Sequence, residues 1–247
     1  MRWLGDVLSP PRCAACELAV PRDHVFCAAC ATTVERCPAG QRCPEGVRDR
    51  RDELAAVDVA FGYYGGALAT AIRRLKYEDR PYLARPLGEL LRGACRAANV
   101  SGAAVVPVPL HPRRLAERGY NQAALLAAHV AEELGAPLVT TALARQVDTA
   151  PQVKLSGAGR QANLATAIQA TSPASVRGRA LVLVDDVETT GATLRACRAV
   201  LLAAGARRVI AMVLARTPPG PARDALGLDA GPVLDIGAPG PREFRMR

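Results

Sequence analysis

Apolar residues follow two different periods in the first half of the chain. Within residues 57–65 the odd positions from 57 to 63 are apolar, which predicts a β-strand. Leu68, Ile72 and Leu75 then share one helical stripe, which predicts an amphipathic helix. A second helix of the same kind is predicted over about residues 83–98.

From residue 103 onward, short apolar runs alternate with longer amphipathic stretches. These patterns predict strands at residues 104–108, 138–143, 180–184 and 209–214, and helices at residues 115–134 and 193–204. Strands that alternate with helices along the chain pair in parallel. We therefore predict an α/β protein with a doubly wound parallel sheet flanked by helices.

The chain divides into four predicted segments. Residues 1–50 are rich in cysteine, residues 51–100 form a small hood, and residues 101–216 form the sheet core. Residues 217–247 are rich in Pro and Gly and have no hydrophobic period, so we expect a mostly disordered tail.

The amino-acid composition indicates a folded protein that does not cross a membrane. Half of the 247 residues are apolar but only 4% are aromatic, so Ala, Val and Leu must form the core. The longest apolar run, at residues 209–215, is far shorter than the roughly 18 residues needed to span a bilayer. Asp6 stands where a secretory signal needs an apolar stretch. We expect a cytoplasmic protein without membrane insertion.

The positive net charge of the chain favours anionic ligands, but it does not distinguish phosphate ligands from nucleic acid. The formal net charge is +9, and only two of the 32 basic residues, Lys76 and Lys154, are lysines. Lys76 lies in a basic and aromatic stretch that contains Phe61, Tyr63, Tyr64, Arg73, Arg74, Lys76, Tyr77, Arg80 and Tyr82. Such a stretch can stack on a base and hold phosphates, in a nucleotide pocket or along single-stranded DNA. Alternatively, its aromatic residues form the core of the hood.

Six of the eight cysteines precede residue 44, which in a reducing compartment indicates metal binding more than disulfides. Cys13, Cys16, Cys27 and Cys30 form two C-x-x-C knuckles, and two knuckles complete a tetrahedral site of the structural zinc kind. The segment is too short for a hydrophobic core of its own, so the metal would supply folding energy. Buried thiols without a metal are the alternative interpretation.

The other cysteines have less specific patterns. Cys37 and Cys43 are separated by five residues, too many for a knuckle, and are either spare ligands or a decayed third pair. His24 is a further candidate ligand. Cys95 and Cys197 fall in helical patterns, which predicts that they are packing residues.

Residues 181–193 carry the most specific chemistry. A buried apolar run ends at Asp185 and Asp186, and a loop of small and hydroxyl-bearing residues then opens a helix. Ligands of an open α/β sheet bind beyond the carboxyl ends of its strands, and a helix N-terminus favours phosphate. Carboxylates just before such a loop are placed to accept hydrogen bonds from ribose hydroxyls. The segment therefore predicts a ribose 5-phosphate site.

Two other kinds of site share features with the same segment. Paired acids at a strand end also bind Mg²⁺ in receiver-type domains, but those domains do not require the loop Thr189-Thr190-Gly191-Ala192-Thr193. A Walker A loop is excluded because no Gly-Lys-Ser/Thr follows.

Residues 181–193 resemble the signature of type I phosphoribosyltransferases, which bind phosphoribosyl pyrophosphate (PRPP). The Cys-rich head, Leu75-Lys76-Tyr77 and residues 107–114, 118–122 and 149–163 are similar to the ComF family of competence-associated proteins. The resemblance covers roughly residues 8–216. It implies a type I phosphoribosyltransferase-like sheet flanked by helices, with a small hood and an N-terminal zinc-ribbon-like module.

The resemblance also implies roles for individual residues. Asp185 and Asp186 would hold the ribose hydroxyls, directly or through Mg²⁺. The 5-phosphate would be cradled by Thr189, Thr190, Gly191, Ala192 and Thr193.

Three cations would meet the pyrophosphate. Arg113 lies in the loop after the first core strand, and Lys154 and Arg160 lie in a loop that would close over the site and exclude water. Lys76 would reach the substrate from the hood.

Glu188 departs from the family pattern, in which an apolar residue is more usual at this position. Purine-salvage relatives often carry a catalytic acid one position later, where this chain has Thr189. Glu188 is a candidate general base if its side chain enters the cleft, but we expect it to point to solvent.

Two functions from different classes are consistent with these features. The first is a Mg²⁺-dependent phosphoribosyltransferase that uses PRPP and an unidentified nucleophile, in DNA uptake or nucleotide metabolism. The second is a non-catalytic competence protein that uses the PRPP site as a ligand sensor and engages single-stranded DNA or a protein of the competence machinery. The resemblance also allows a homodimer.

Overall fold

The computed structural model describes residues 10–37, 59–146 and 167–217. Its elements in chain order are α1 (Ala28–Ala31), β1 (Val59–Tyr63), α2 (Gly66–Tyr77), a 3-10 turn (Pro81–Leu83), α3 (Ala84–Ala97), β2 (Ala104–Pro107), α4 (Pro112–Arg118), α5 (Gln122–Leu134), β3 (Leu143–Arg145), β4 (Ile168–Ala170), α6 (Pro173–Val176), β5 (Ala180–Glu188), α7 (Ala192–Ala203) and β6 (Arg208–Arg216). The predictions for the tail, for Cys43 and for residues 149–163 lie outside the described residues. The boundaries of the four segments stay predictions.

Among the described residues, four parallel strands form the central sheet in the order β1-β6-β5-β2. β5 and β6 lie in the middle, and residues 181–184 and 209–215 are all buried. Parallel strands that are covered on both faces need continuous apolar runs of this kind. The predicted α/β class and the parallel pairing of these four strands are confirmed.

Helices cover both faces of the sheet. α2 and α5 pack Leu75 and Leu126 against one face, in a core that α3 completes, and α7 packs Cys197 and Leu201 against the other. Cys95 on α3 is also buried, so both isolated cysteines are packing residues as expected. Within the described ranges, no helix combines the length and the apolar character needed to cross a bilayer.

The prediction of one continuous helix over residues 115–134 is wrong. α4 begins at Pro112 and ends before Gly119, which adopts a left-handed conformation with φ of 79°. α5 then begins after Asn121, whose Oδ1 accepts a hydrogen bond from the N–H of Ala123 at 3.0 Å. A glycine that ends one helix and an asparagine that caps the next explain the break.

The predicted strand at residues 138–143 is also wrong. Leu138 forms an isolated parallel bridge with Val105, and the chain then turns at residues 140–141. β3 begins at Leu143 and pairs antiparallel with β4 in a separate two-stranded sheet. The residues between β3 and β4, numbers 147–166, lie outside the described part of the chain.

Residues 10–37, called the Cys module below, join the outer edge of the central sheet. The N–H of Tyr63 donates to the carbonyl of Glu35 at 2.8 Å, and the N–H of Cys37 donates to the carbonyl of Phe61 at 3.1 Å. The end of the module thereby pairs antiparallel with β1 and covers an edge that is otherwise a site for unwanted strand pairing.

Candidate ligand site and metal centre

Asp185 and Asp186 lie within β5, because the strand continues to Glu188 instead of ending before the acids. They still extend past the neighbouring β2, whose last residue, Pro107, pairs with Val184. Asp186 is 3% exposed and Asp185 is partly exposed. Successive residues of a strand face opposite sides of a sheet, so the two carboxylates have different surroundings.

Asp186 faces the hood. Lys76 Nζ, near the end of α2, lies 2.9 Å from Asp186 Oδ1, and the lysine side chain is 19% exposed. Burial lowers the pKa of Lys76, but the charge of Asp186 and the hydrogen bond to it raise that pKa above its ordinary value. Asp186 Oδ2 is buried and has no hydrogen-bond partner among the described residues. The carboxylate therefore has one oxygen paired with Lys76 and one that can still accept a donor or a cation.

The pKa of Asp185 is well above the ordinary value of an aspartate. Burial and the negative charge of Asp186 raise the pKa of Asp185 to about 7, although the charges of Lys76 and Arg145 and the N–H of Asp186 lower it. That N–H donates to Asp185 Oδ1 at 2.8 Å. Because the pKa lies near neutrality, a ligand or cation that needs the carboxylate competes directly with a proton.

The loop that follows β5 turns tightly into α7. Gly191 precedes the helix with φ of 69°, and a Cβ atom there would lie 2.9 Å from Glu188 Oε1 and 2.9 Å from Arg195 Nη1. Thr190 Oγ1 accepts a hydrogen bond from the N–H of Ala192 at 3.4 Å. The left-handed backbone conformation favours glycine at this position, and a larger residue would also have to displace the ends of the Glu188 and Arg195 side chains.

The same loop presents hydroxyls and a cation at a helix N-terminus. Thr189 and Thr190 are exposed, and Thr193 lies in the first turn of α7. Arg195 Nη2 donates to the carbonyl of Thr190 at 2.8 Å. Arg195 was not among the residues predicted from the sequence, although a cation in the first turn after the loop is a recognisable signal. The partial positive charge of the helix end and the Arg195 guanidinium together favour an anion.

Glu188 does not point to solvent, so that expectation is wrong. Its side chain is 13% exposed, and its Oε2 accepts a hydrogen bond from Arg216 Nη2 at 2.5 Å. The N–H of Thr217 donates to the Glu188 carbonyl at 2.8 Å. The ion pair with the end of the adjacent strand β6 accounts for the orientation.

Arg113 lies at the surface in the first turn of α4, and its predicted position in the loop after β2 is wrong. The Arg113 side chain is 72% exposed and pairs with Glu117 one helical turn later, at 2.9 Å. Its backbone N–H donates to His111 Nδ1 at 3.2 Å, which caps α4. The two other predicted pyrophosphate contacts, Lys154 and Arg160, lie outside the described residues.

Two arginines of the basic and aromatic stretch hold the Cys module against the hood. Arg74 is 6% exposed, and both Arg74 and Arg80 pair with Glu17 of the module. Arg74 also pairs with Glu78 at 3.1 Å. These guanidinium groups therefore form ion pairs within the chain, and ligand binding by the stretch stays a prediction.

The aromatic residues of that stretch divide into two groups. Phe61 belongs to the core, and Tyr63 and Tyr64 are partly buried. Tyr77 and Tyr82 are 65% and 60% exposed. The buried Phe61 agrees with the core interpretation, and stacking of a base on the exposed rings stays a prediction.

The four knuckle cysteines converge in the Cys module. The Sγ atoms of Cys13, Cys16, Cys27 and Cys30 all lie within 4.8 Å of one another, and those of Cys16 and Cys27 are 3.6 Å apart. Zn–S bonds of about 2.3 Å in a tetrahedron place sulfur atoms about 3.8 Å apart. The four side chains therefore fit a single metal ion such as zinc.

The surroundings favour a thiolate at Cys13, whereas burial and the neighbouring thiols raise the pKa of Cys30 to about 12. Burial raises the pKa of the Cys13 thiol, but hydrogen bonds from the backbone at Cys16, Cys27 and Ala15 lower it to about 6 overall. His24 is outside the four-cysteine group, and its Nδ1 lies 3.0 Å from Asp23 Oδ1. Cys37 is also outside the group, beside β1.

Comparisons with known proteins agree with this architecture. A model of the phosphoribosyl transferase domain matches residues 121–226. The DNA utilization protein YhgH of Escherichia coli K12 is 32% identical over 212 residues, which cover 83% of this chain and 90% of that protein. Competence protein F of Haemophilus influenzae is 35% identical over 164 residues, which cover 64% of this chain and 72% of that protein.

The chain belongs to the ComF family. The resemblance inferred from the sequence is confirmed, and the ComF-family protein has a type I phosphoribosyltransferase fold with an N-terminal cysteine cluster. A solved structure of the allosteric regulatory enzyme of purine biosynthesis aligns with 57% of this chain and 29% of that chain, at 21% identity and a TM-score of 0.42.

Proposed function

We propose that this ComF-family protein binds PRPP with Mg²⁺ and transfers its 5-phosphoribosyl group to a nucleophile. The main support is the order of chemical groups from β5 to α7. Two carboxylates are followed by a tight loop with hydroxyls and then by a helix N-terminus. The same order of groups would meet, in turn, the ribose hydroxyls and the 5-phosphate of one ligand.

The loop and its helix are proposed to hold the 5-phosphate. Backbone N–H groups at the start of α7 and the hydroxyls of Thr189, Thr190 and Thr193 would donate to the phosphate oxygens. Arg195 is close enough to Gly191 to add a charged donor. Asp185 would accept hydrogen bonds from the ribose hydroxyls in its ionised form.

Mg²⁺ is proposed to bind the carboxylate of Asp186, since Asp185 faces the other side of β5. The buried Asp186 Oδ2, which has no hydrogen-bond partner within the described ranges, is the kind of oxygen that this cation prefers. When bound, the cation would supply positive charge that stabilises the leaving pyrophosphate.

In the proposed reaction, the bond between C1 of the ribose and pyrophosphate breaks, and pyrophosphate leaves with the electron pair. A lone pair of the nucleophile forms the new bond to C1, and the nucleophile's proton passes to water or a base. Arg113, Lys154 and Arg160 are proposed to bind the pyrophosphate, and Lys76 to contact the substrate from the hood. Glu188 can act as a base only after it leaves Arg216.

A second candidate function is binding of single-stranded DNA. The exposed rings of Tyr77 and Tyr82 lie beside cations: the Arg118 guanidinium is 5.3 Å from the centre of the Tyr77 ring, and Arg80 donates to the Tyr82 hydroxyl at 2.8 Å. Exposed aromatic residues with neighbouring arginines are typical of surfaces on which unpaired bases stack. The names of two relatives, DNA utilization protein and competence protein, favour a role connected with DNA.

The two functions are separable by one pair of variants. Pyrophosphate release from PRPP with Mg²⁺, assayed against a panel of bases and amines, should be lost in Asp185→Asn and kept in Tyr77→Ala/Tyr82→Ala. Fluorescence anisotropy with labelled single-stranded DNA should give the opposite result if the tyrosines bind DNA. A wild-type protein that releases no pyrophosphate with any acceptor but binds PRPP would favour the ligand-sensor role.

The metal, the location and the partners of the protein are also proposed. We propose zinc as the metal of the cysteine cluster, a cytoplasmic location, and interaction with a homodimer partner or with proteins of DNA uptake. Zinc is favoured because four thiolates at tetrahedral spacing suit it better than they suit Mg²⁺ or Ca²⁺.

A further inference from the structure

The first knuckle of the Cys module is bound directly by helix α2. Ala14 and Ala15 lie between the knuckle cysteines Cys13 and Cys16, and their carbonyls both accept hydrogen bonds from Arg74 Nη1, at 3.2 and 3.0 Å. Arg74 belongs to α2 and is almost fully buried. A change in the conformation of this knuckle would therefore remove the two carbonyls that accept hydrogen bonds from the buried Arg74 guanidinium.

Thr33, three residues after the second knuckle, links that knuckle to the opposite end of the same helix. The hydroxyl of Thr33 donates to the carbonyl of the cluster residue Cys30 at 2.8 Å and accepts a hydrogen bond from the N–H of Ala67, in the first turn of α2, at 3.0 Å. At Gly66 a Cβ atom would lie 2.2 Å from the carbonyl oxygen of Thr33, so the two segments are in close contact. Thr33 thus caps α2 from the Cys module.

The same helix ends at the ligand site. Lys76, two residues after Arg74, forms the ion pair with Asp186, and the hydroxyl of Tyr120 donates to the carbonyl of Leu75. α2 therefore has three contacts along its length. Thr33, after the second knuckle, binds its first turn, the first knuckle binds Arg74 near its last turn, and Asp186 binds Lys76 in that last turn. A helix of twelve residues is stiff over this length, so a shift at one contact moves the others.

We propose that the cysteine cluster positions Lys76 against Asp186 through α2, so that metal occupancy and ligand binding are thermodynamically coupled, with Thr33 and Arg74 as the positioning residues. The coupling to ligand rests on the proposed function. A bound metal would fix both knuckles, because the module has little core of its own. With the metal removed, the carbonyls that hold Arg74 and the hydroxyl that caps α2 lose their fixed positions. By linkage, a ligand that binds the carboxylate site would in turn slow metal release.

Hydrogen exchange tests the coupling without any ligand. In the intact chain, removal of the metal with a chelator should speed exchange of the α2 amides by about tenfold, while exchange in α5 should change little. Unchanged α2 exchange would overturn the proposal. So would a uniform rise across α2, α5 and β5, since the effect would then be a loss of the whole fold and not a path through α2.

Adjacent threonines provide a matched pair of variants. Thr33→Val removes the hydroxyl that bridges Cys30 and Ala67, whereas Thr32→Val removes a hydroxyl that bonds Ala29 within the module. Loss of one hydrogen bond of about 1 kcal/mol predicts roughly fivefold faster metal release to a chromophoric chelator for Thr33→Val. Thr32→Val and the conservative Thr33→Ser should release metal at the wild-type rate. Equal rates for Thr33→Val and Thr32→Val would contradict the assignment.

Ligand binding gives the last arm of the test. Saturating PRPP with Mg²⁺ should slow metal release from the wild type and should have a smaller effect on Thr33→Val. If PRPP does not bind the wild type, the proposed function fails, while the exchange and release measurements still decide the coupling. If PRPP binds and metal release is unchanged, the coupling is wrong and the proposed function stands.

Discussion

Lys76 Nζ and Asp186 Oδ1 are 2.9 Å apart, and both side chains are largely removed from solvent. The contact joins the hood to the carboxyl edge of the central sheet. Since neither charge is well solvated, each depends on the other for compensation. The pair therefore holds α2 against β5 and places a cation beside the proposed ribose and Mg²⁺ site.

Removing one member of this pair should destabilise the protein. Lys76→Met leaves the Asp186 carboxylate buried without its counter-charge, and we expect a loss of about 3 kcal/mol in the free energy of unfolding, measured with urea. The double variant Lys76→Met/Asp186→Asn leaves no unpaired charge and should regain most of that loss. If the double variant costs as much as the sum of the two single changes, the two residues are not coupled.

The raised pKa of Asp185 should make stability depend on pH. The folded protein keeps this proton up to about pH 7, whereas an unfolded chain releases it near pH 4. The folded state thus binds more protons between these values, so its free energy of unfolding falls as pH rises through the window, by up to about 1.4 kcal/mol per pH unit.

Asp185→Asn should remove this contribution. Urea unfolding of the wild type and the variant without added Mg²⁺, between pH 5.5 and pH 8, measures the difference between the two curves. A difference that is constant over this range would show that Asp185 titrates normally. The charges around the group, those of Asp186, Lys76 and Arg145, are the same in both proteins.

Gly191 offers a test of the phosphate loop. Gly191→Ala imposes a left-handed φ on alanine and crowds Glu188 and Arg195, so we expect a loss of about 1 kcal/mol in stability and at least about tenfold weaker PRPP binding. Gly135→Ala is the control, because Gly135 has φ of 57° but nothing lies within 4 Å of its Cβ position. It should lose similar stability and keep its PRPP affinity. Equal PRPP affinities in the two variants would remove the loop from the site.

The metal assignment can be tested by elemental analysis of purified protein. We expect about one zinc ion per chain in the wild type and a loss of most of it in Cys30→Ser, because three thiolates and a hydroxyl bind zinc more weakly. Cys37→Ser should retain the metal, since Cys37 lies outside the four-cysteine group. Retention in Cys30→Ser, or loss in Cys37→Ser, would contradict the ligand set.

Local patterns were sufficient to predict much of this fold. The buried strands β5 and β6 follow from continuous apolar runs, and the knuckle spacing alone indicated which four cysteines converge. The errors arose where a single residue changes the path of the chain. Gly119 and Asn121 divide one predicted helix into two, and the turn after Leu138 replaces a predicted strand by an isolated bridge.

Side-chain pairing was less accessible from sequence. Glu188 turns to Arg216, which is 28 residues away, and Arg74 turns to Glu17, 57 residues away. No local pattern encodes such contacts, because they depend on which strands and segments become neighbours in the fold. Lys76 was singled out as one of two lysines, yet its partner Asp186 emerged from the packing of α2 on β5.

Calorimetric titration of PRPP with Mg²⁺ into the wild type and into Asp185→Asn/Asp186→Asn tests directly whether these carboxylates form a PRPP site. Circular dichroism checks that both proteins are folded. The account predicts saturable binding to the wild type and binding weakened by at least about tenfold in the folded variant. A wild type that binds no PRPP, or a variant that binds it equally well, would show that these carboxylates do not form a PRPP site.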